Sequence, residues 1–210
     1  MLMTTKKDIN ESYDKFAKWY DCVVSLPEFF GVRRLRKALF QKASGKVLEI
    51  ATGTGRNLSY YSDNCEVTLT DMSRRMLDKA LWKVRKREMS SSILRMDAEQ
   101  LGLRDDCFDT VVDSLALCTF TQPVSALREM SRVCKPGGRI LLLEHGKSSK
   151  EWLGHWQSKV ASTCVERIGC HWDRDTLDLV EKSGLRIISN RRHFFGMFHS
   201  ITATPRQYTA

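Results

Sequence analysis

Two short stretches hold the residues best suited to chemistry. Val47-Leu48-Glu49-Ile50 reads as a buried strand carrying a carboxylate, and it breaks into the small-residue turn Ala51-Thr52-Gly53-Thr54-Gly55. A second apolar strand, 67–71, ends on Asp71, sixteen residues after Gly55. An acidic strand, a G-x-G turn and a strand-terminal Asp form the pattern of a nucleoside site in a parallel α/β sheet. The glycines let backbone approach a ligand, and the terminal carboxylate can accept hydrogen bonds from both ribose hydroxyls. A glycine turn kept for packing alone is the plainer alternative, and the three features together tell against it.

Two nucleosides compete for such a site. A dinucleotide needs a third glycine, in G-x-G-x-x-G, for close helix packing against the strand. Counting from Gly53, that position is Leu58, so the pyrophosphate cradle is incomplete. S-adenosylmethionine carries no phosphate and tolerates a looser turn. Its sulfonium is already a strong electrophile, so methyl transfer needs in-line positioning and exclusion of water. A base is required only when the acceptor arrives protonated. Tyr20, Asp21, Cys118, His145, His155 and His171 are the candidates, with His145 and Tyr20 the first expectation for catalytic residues. A histidine at a strand end is more often structural than catalytic.

The wider sequence supports this choice. YDKFAKWYD at 13–21, VLEIATGTGRN at 47–57, MDAEQL at 96–101, FDTVVDSLALCT at 108–119 and LREMSRVCKPGGRILLLEH at 127–145 occur in that order. In these motifs the chain resembles the class I S-adenosylmethionine-dependent methyltransferases over about residues 12–205. The branch it resembles holds ubiquinone-biosynthesis-type, phospholipid N-methyltransferase and OMS-type mitochondrial proteins. The resemblance implies a Rossmann-like, mostly parallel seven-stranded sheet with helices on both faces and an antiparallel last strand.

The resemblance also implies a set of cofactor contacts. Gly53 and Gly55 give backbone contact under the methionyl part, Glu49 orients the turn, and Ala51 and Asn57 are further cofactor contacts. Asp71 takes the ribose, Met72 lies against adenine, and Asp97 with Ala98 read its edge. Asp113, Ser114 and Leu115 lie beneath the sulfonium, and Tyr20 covers the site. Ala51 stands where many family members have glycine.

The elements that must position these residues are legible from periodicity. Ile9, Tyr13, Phe16, Tyr20 and Val23 recur at helical spacing, which predicts a helix over 8–24, broken by Pro27; a second follows at 31–43. Strands are expected at 46–51, 66–71, 92–97, 108–114 and 139–145, with helices at 56–62, 74–88 and 123–134 between them. This alternation implies a parallel sheet. A helix at 150–168, another capped by Asp173 and stopped by Gly184, and an antiparallel pair from 185 and 198 complete the chain. The expected organisation is one domain over 1–210: a helical lid (1–45), a cofactor core (46–145), and a substrate insertion with the strand pair (146–210).

Composition bounds the setting. A chain of 210 residues with 42% hydrophobic content can bury a full core. No apolar run reaches the ~18 residues of a membrane span, and the start lacks the apolar stretch of a secretory signal; a preceding targeting or anchor segment is left open. Seven cysteines at irregular spacing argue for a reducing compartment. The net charge of +9 concentrates at 33–37 and 74–87. Such runs usually solvate helix faces, but they also suit an anionic membrane and a mitochondrial setting, with cytoplasm the other location.

A lipophilic small-molecule or lipid acceptor is expected, with nucleic acid not expected as a partner and the oligomeric state open. Trp152, Trp156 and Val160, with Leu26, Phe29, Phe30 and Val32, would form the acceptor wall or core. Cys164, Cys170, His155 and His171 lack a C-x-x-C pair, so no metal is expected. The rival reading is a catalytically idle assembly or RNA-binding factor on the same fold; intact Glu49, Gly53, Gly55, Asp71 and Asp97 speak against it.

Overall fold

The computed structural model describes residues 5–23 and 31–206. In chain order the elements are α1 (Lys6–Val23), α2 (Arg33–Phe40), β1 (Lys46–Ile50), a 3₁₀ turn (Leu58–Tyr60), β2 (Glu66–Asp71), α3 (Arg74–Arg87) and β3 (Ser91–Arg95). Then come β4 (Phe108–Ser114), α4 (Pro123–Val133), β5 (Cys134–His145), α5 (Glu151–Ile168), α6 (Thr176–Lys182), β6 (Arg186–His193) and β7 (Phe198–Thr204). The seven strands form one sheet in the order β3-β2-β1-β4-β5-β7-β6. β7 inserts antiparallel between β5 and β6, and the other described pairs are parallel.

Alternation along the strands builds a core on each face. Leu48, Val111, Ile140 and Leu142 point to the side covered by α4 and α6, where Leu127, Met130 and Val180 are buried. Val47, Val112, Leu141 and Leu143 point to the side covered by α2 and α3, where Phe40, Ala80 and Val84 are buried. Burial of apolar side chains on both faces explains the near-continuous apolar runs of β4 and β5. α2, expected within the lid, instead puts Leu39 and Phe40 into this core.

Local signals explain most of the boundaries. Ser73 caps α3 by accepting from Met76 N–H at 3.2 Å. Pro123 opens α4, and Gly169 closes α5 in the left-handed conformation. The Lys135-Pro136-Gly137-Gly138 turn is absorbed as an irregularity where the β4–β5 register jumps from Phe108↔Cys134 to Thr110↔Arg139.

Three expectations need correction. The helix after the G-x-G turn shrinks to the 3₁₀ turn, because Asn57 and Tyr61 are drawn down onto a buried carboxylate. The cap of α6 is Asp175, not Asp173; its carboxylate accepts from Leu177 and Asp178 N–H, both at 3.1 Å. β3 stops at Arg95, so Asp97 lies in the turn beyond it.

Candidate active site

Strand order reverses at β1, with β2 on one side and β4 on the other, and such a switch leaves a crevice at the carboxyl ends of the strands. The crevice is present. Ala51 and Gly53 line it from the end of β1, Asp71 and Met72 from β2, Asp97 and Ala98 from the β3 turn, and Ser114 and Leu115 from β4. Its roof is α1, through Lys6, Ile9, Asn10, Tyr13 and Tyr20. The space, its open mouth included, is about 810 Å³.

The polar groups of the floor are held before any ligand arrives. Asp71 Oδ2 accepts from Gly53 N–H and Oδ1 from Ser73 N–H, each at 2.8 Å. Burial beneath α1 pushes the Asp71 carboxyl up to about 6, against the pull of those N–H donors. Asp97 is held by Glu99 N–H at 2.9 Å, and Lys6 bridges Asp97 at 2.6 Å and Glu99 at 2.7 Å. Ala51 and Leu115 have positive φ (47° and 59°) at the two strand ends. Left-handed backbone at non-glycine residues is strained and concentrates at functional sites.

Five residues expected in the site do not line the crevice. Glu49 is buried below it, accepting from Asn57 Nδ2 at 2.9 Å and from the Tyr61 hydroxyl at 2.6 Å. Burial raises its carboxyl, and Tyr61, Thr52, Asn57 and Arg36 offset part of that rise. Asn57 in turn accepts from Arg36 Nη1 at 2.8 Å, and the same nitrogen donates to Ser114 Oγ. Glu49 and Asn57 therefore brace the turn from beneath.

Gly55 faces away from the crevice. A Cβ there would meet Leu58 Cδ1 at 2.7 Å and Ala80 at 3.3 Å, so its task is close packing of the turn on α3. Asp113 is fully buried, with Oδ1 accepting from Ser114 N–H at 2.8 Å. A second buried acid, Glu144, neighbours it and accepts from Ala116 N–H at 3.4 Å. His145 turns its ring toward Cys170, with Nε2 3.5 Å from Sγ, and packs edge-on to Phe198. Its ring points to Cys170 and Phe198, which is why it does not reach the crevice.

Of the remaining candidates Tyr20 lies in the crevice roof and the others scatter. Burial raises the Tyr20 phenol, so it stays protonated. Asp21 is engaged with Thr54, Arg56 and Lys83 on the flank of α1. His155 is exposed. Trp152 and Trp156 are 70% and 48% exposed, the buried face of α5 being Leu153, Gln157 and Ala161. Leu26, Phe29 and Phe30 lie outside the described residues.

Lys6, Arg36, Tyr61 and Glu144 were not anticipated. Glu144, a carboxylate inside an apolar strand run, carried the same signal as Asp113. Lys6 and Tyr61 left no sequence mark, and Arg36 counted only as part of the basic run at 33–37.

Fold and crevice define a Rossmann-like α/β enzyme that binds a nucleoside without a phosphate cradle. A methyltransferase domain family model matches residues 48–142. The chain is 36% identical to phosphatidylethanolamine N-methyltransferase of Cereibacter sphaeroides over 67% of its own length and 70% of that protein. It is 28% identical to the mitochondrial methyltransferase OMS1 of Saccharomyces cerevisiae over 94% of its length, but spans only 46% of that protein. A solved S-adenosylmethionine-dependent methyltransferase of Thermotoga maritima shares the fold, with TM-score 0.69, 23% identity, and coverage of 94% of this chain and all of that one. The chain belongs to the S-adenosylmethionine-dependent methyltransferases, and its cofactor is S-adenosylmethionine.

Proposed function

We propose that the protein transfers the methyl group of S-adenosylmethionine to a small lipophilic acceptor: a phospholipid amine, a quinone precursor or a thiol. The crevice itself carries this reading. Gly53 presents bare backbone to it, since a Cβ there would meet nothing within 4 Å. Asp71 offers two anchored oxygens, and Ile9, Met76, Met96 and Phe120 add apolar wall. These residues fit a nucleoside bearing an amino-acid tail.

When bound, the cofactor supplies an electrophilic methyl group on sulfur. The protein's part is positioning. Asp71 takes the ribose hydroxyls, Met72 the adenine face, and Asp97 with Ala98 the adenine edge. Lys6 retains Glu99 when Asp97 changes partner. Gly53, Ser114 and Leu115 flank the methionyl part, with Glu49, Asn57 and Asp113 bracing them from below. Tyr13 and Tyr20 on α1 exclude water, so among the described residues the lid is α1. Among the described residues no histidine lines the crevice, so the proton an amine, phenol or thiol acceptor must lose is not taken by a histidine there. The phospholipid-methylating relative supports a lipid acceptor. The yeast relative's location and the basic charge support a mitochondrial setting with peripheral membrane contact.

Calorimetry with S-adenosylmethionine on wild type and Asp71→Ala tests the site. Loss of a charge-assisted pair worth about 1.5–3 kcal/mol should weaken binding about 10- to 100-fold. An unchanged dissociation constant removes Asp71 from the site. Turnover should then appear on one of three acceptors: phosphatidylethanolamine vesicles, a demethylated quinone, or an alkyl thiol. Tight cofactor binding with no transfer to any of them would overturn the lipophilic acceptor.

A further inference from the structure

Outside the crevice, three side chains with no part in the proposed transfer converge from distant segments. Cys118 lies in the loop after β4, His145 ends β5, and Cys170 follows α5. Cys118 Sγ, Cys170 Sγ and a His145 ring nitrogen all lie within 4.8 Å of one another. Cys170 Sγ and His145 Nε2 are 3.5 Å apart. Tetrahedral zinc, with Zn–S about 2.3 Å and Zn–N about 2.0–2.1 Å, sets sulfur and nitrogen about 3.5–3.6 Å apart and two sulfurs about 3.8 Å apart. The spacing therefore suits a shared metal as it stands.

The surroundings are also built. Both cysteines are free and buried, at 4% and 9% exposure. The loop carrying Cys118 is pinned by backbone and side chain alike: His171 N–H donates to Cys118 O at 2.9 Å, and Arg174 donates to Leu117 O and Phe120 O. The buried His145 Nδ1 has no hydrogen-bond partner. It can carry the ring proton and leave the Nε2 lone pair for a metal.

We propose that Cys118, His145 and Cys170 form a Zn²⁺ site with an open fourth position, tying the β4 loop to the end of β5 and the α5–α6 connection. Two thiolates and a neutral imidazole are a borderline-soft donor set suited to zinc. Binding displaces the thiol protons to solvent. The proposal is independent of methyl transfer.

The test uses the full chain, reduced, stripped of metal and titrated with Zn²⁺ against a competing chromophoric chelator. One Zn²⁺ per chain is expected. Affinity should fall at least about a hundredfold in the Cys118→Ser/Cys170→Ser double variant and persist in Cys22→Ser, which removes an exposed thiol. Co²⁺ should give tetrahedral visible bands and thiolate charge transfer in wild type. That spectrum decides the matter on its own if the double variant fails to fold. Zinc uptake that is unchanged in a folded double variant, or no uptake at micromolar free zinc, overturns the site. A Cys118–Cys170 disulfide, read as the loss of two hydrogens in protein isolated without metal, also overturns it, in favour of a redox pair.

Discussion

Asp113 and Glu144 sit side by side with no solvent contact, and neither Oδ2 of the first nor Oε2 of the second meets an N–H donor. Two neighbouring carboxyls buried away from water resist ionising together, so at least one keeps its proton. Burial pushes Asp113 up to about 7, and burial with the neighbouring Asp113 raises Glu144 well above its usual range. The sign follows from proton counting. Below the ordinary carboxyl range both states are protonated and the pair's contribution is fully present. As pH rises from about 4 toward 7, the unfolded chain releases protons that the folded pair keeps, so this contribution is lost. Glu144→Gln keeps a donor toward Asp113 without titrating. The variant should gain stability relative to wild type as pH rises through this window, reaching about 1–3 kcal/mol near pH 7–8. Urea unfolding across pH reads this, and a pH-independent difference would show that the pair does not share a proton. Gly55 is the second sensitive residue. Its φ is +73° and Leu58 and Ala80 close on it, so Gly55→Ala should cost about 2–4 kcal/mol by thermal melting. A melting point within about 2 °C of wild type would contradict the packing role.

At the level of elements, α1 is held by polar contacts more than by burial. Lys6 pairs with Asp97 and Glu99, Asp14 accepts from Ser73 and Arg75, and Asp21 meets Thr54 and Lys83. Only Ala17 on α1 is fully buried among its described side chains. Partly exposed ion pairs contribute little, about 0–1 kcal/mol each, so α1 can lift while the sheet stays closed. By hydrogen exchange, amides of α1 should exchange at least about a hundredfold faster than those of β4 and β5, and slow on cofactor binding. Equal protection of α1 and the central strands would make it part of the core and not a lid.

For the whole molecule, the net charge of +9 is the property most open to test. Arg33, Arg34 and Lys37 on α2 and Arg191 and Arg192 on β6 belong to elements that flank exposed aromatics, Phe195 at 66% and Trp152 at 70%. Phe194 lies close enough to Gly31 that a Cβ there would meet its ring at 2.9 Å, and Ser149 bonds the Phe195 carbonyl, which draws these segments together. No helix among the described residues is long and apolar enough to cross a membrane. Flotation with anionic vesicles should show binding that weakens as salt rises, because screening shortens the reach of Lys and Arg to the surface. Phe195→Ser with Trp152→Ser should weaken it further. Equal binding to neutral and anionic vesicles, or none at low salt, would remove the membrane contact and favour a soluble acceptor.

What the sequence alone determined was local. The acidic strand, the G-x-G turn and the strand-terminal Asp71 lie within 25 residues (47–71), and their spacing is set by one strand, one turn and the next strand. Most strand and helix boundaries followed from period and from capping residues for the same reason; the 56–62 helix, the end of β3 and the cap of α6 did not, because tertiary contacts set them. Tertiary structure decided the direction of each side chain beyond its strand and which distant segments meet. Gly55 proved to be a packing residue because α3 returns over it. Glu49 proved to be a brace because Tyr61 and Asn57 fold down onto it. His145 and Cys118 stand 27 residues apart, and Cys170 another 25. No local pattern links them; the β4–β5 pairing and the return of the chain after α5 bring them together.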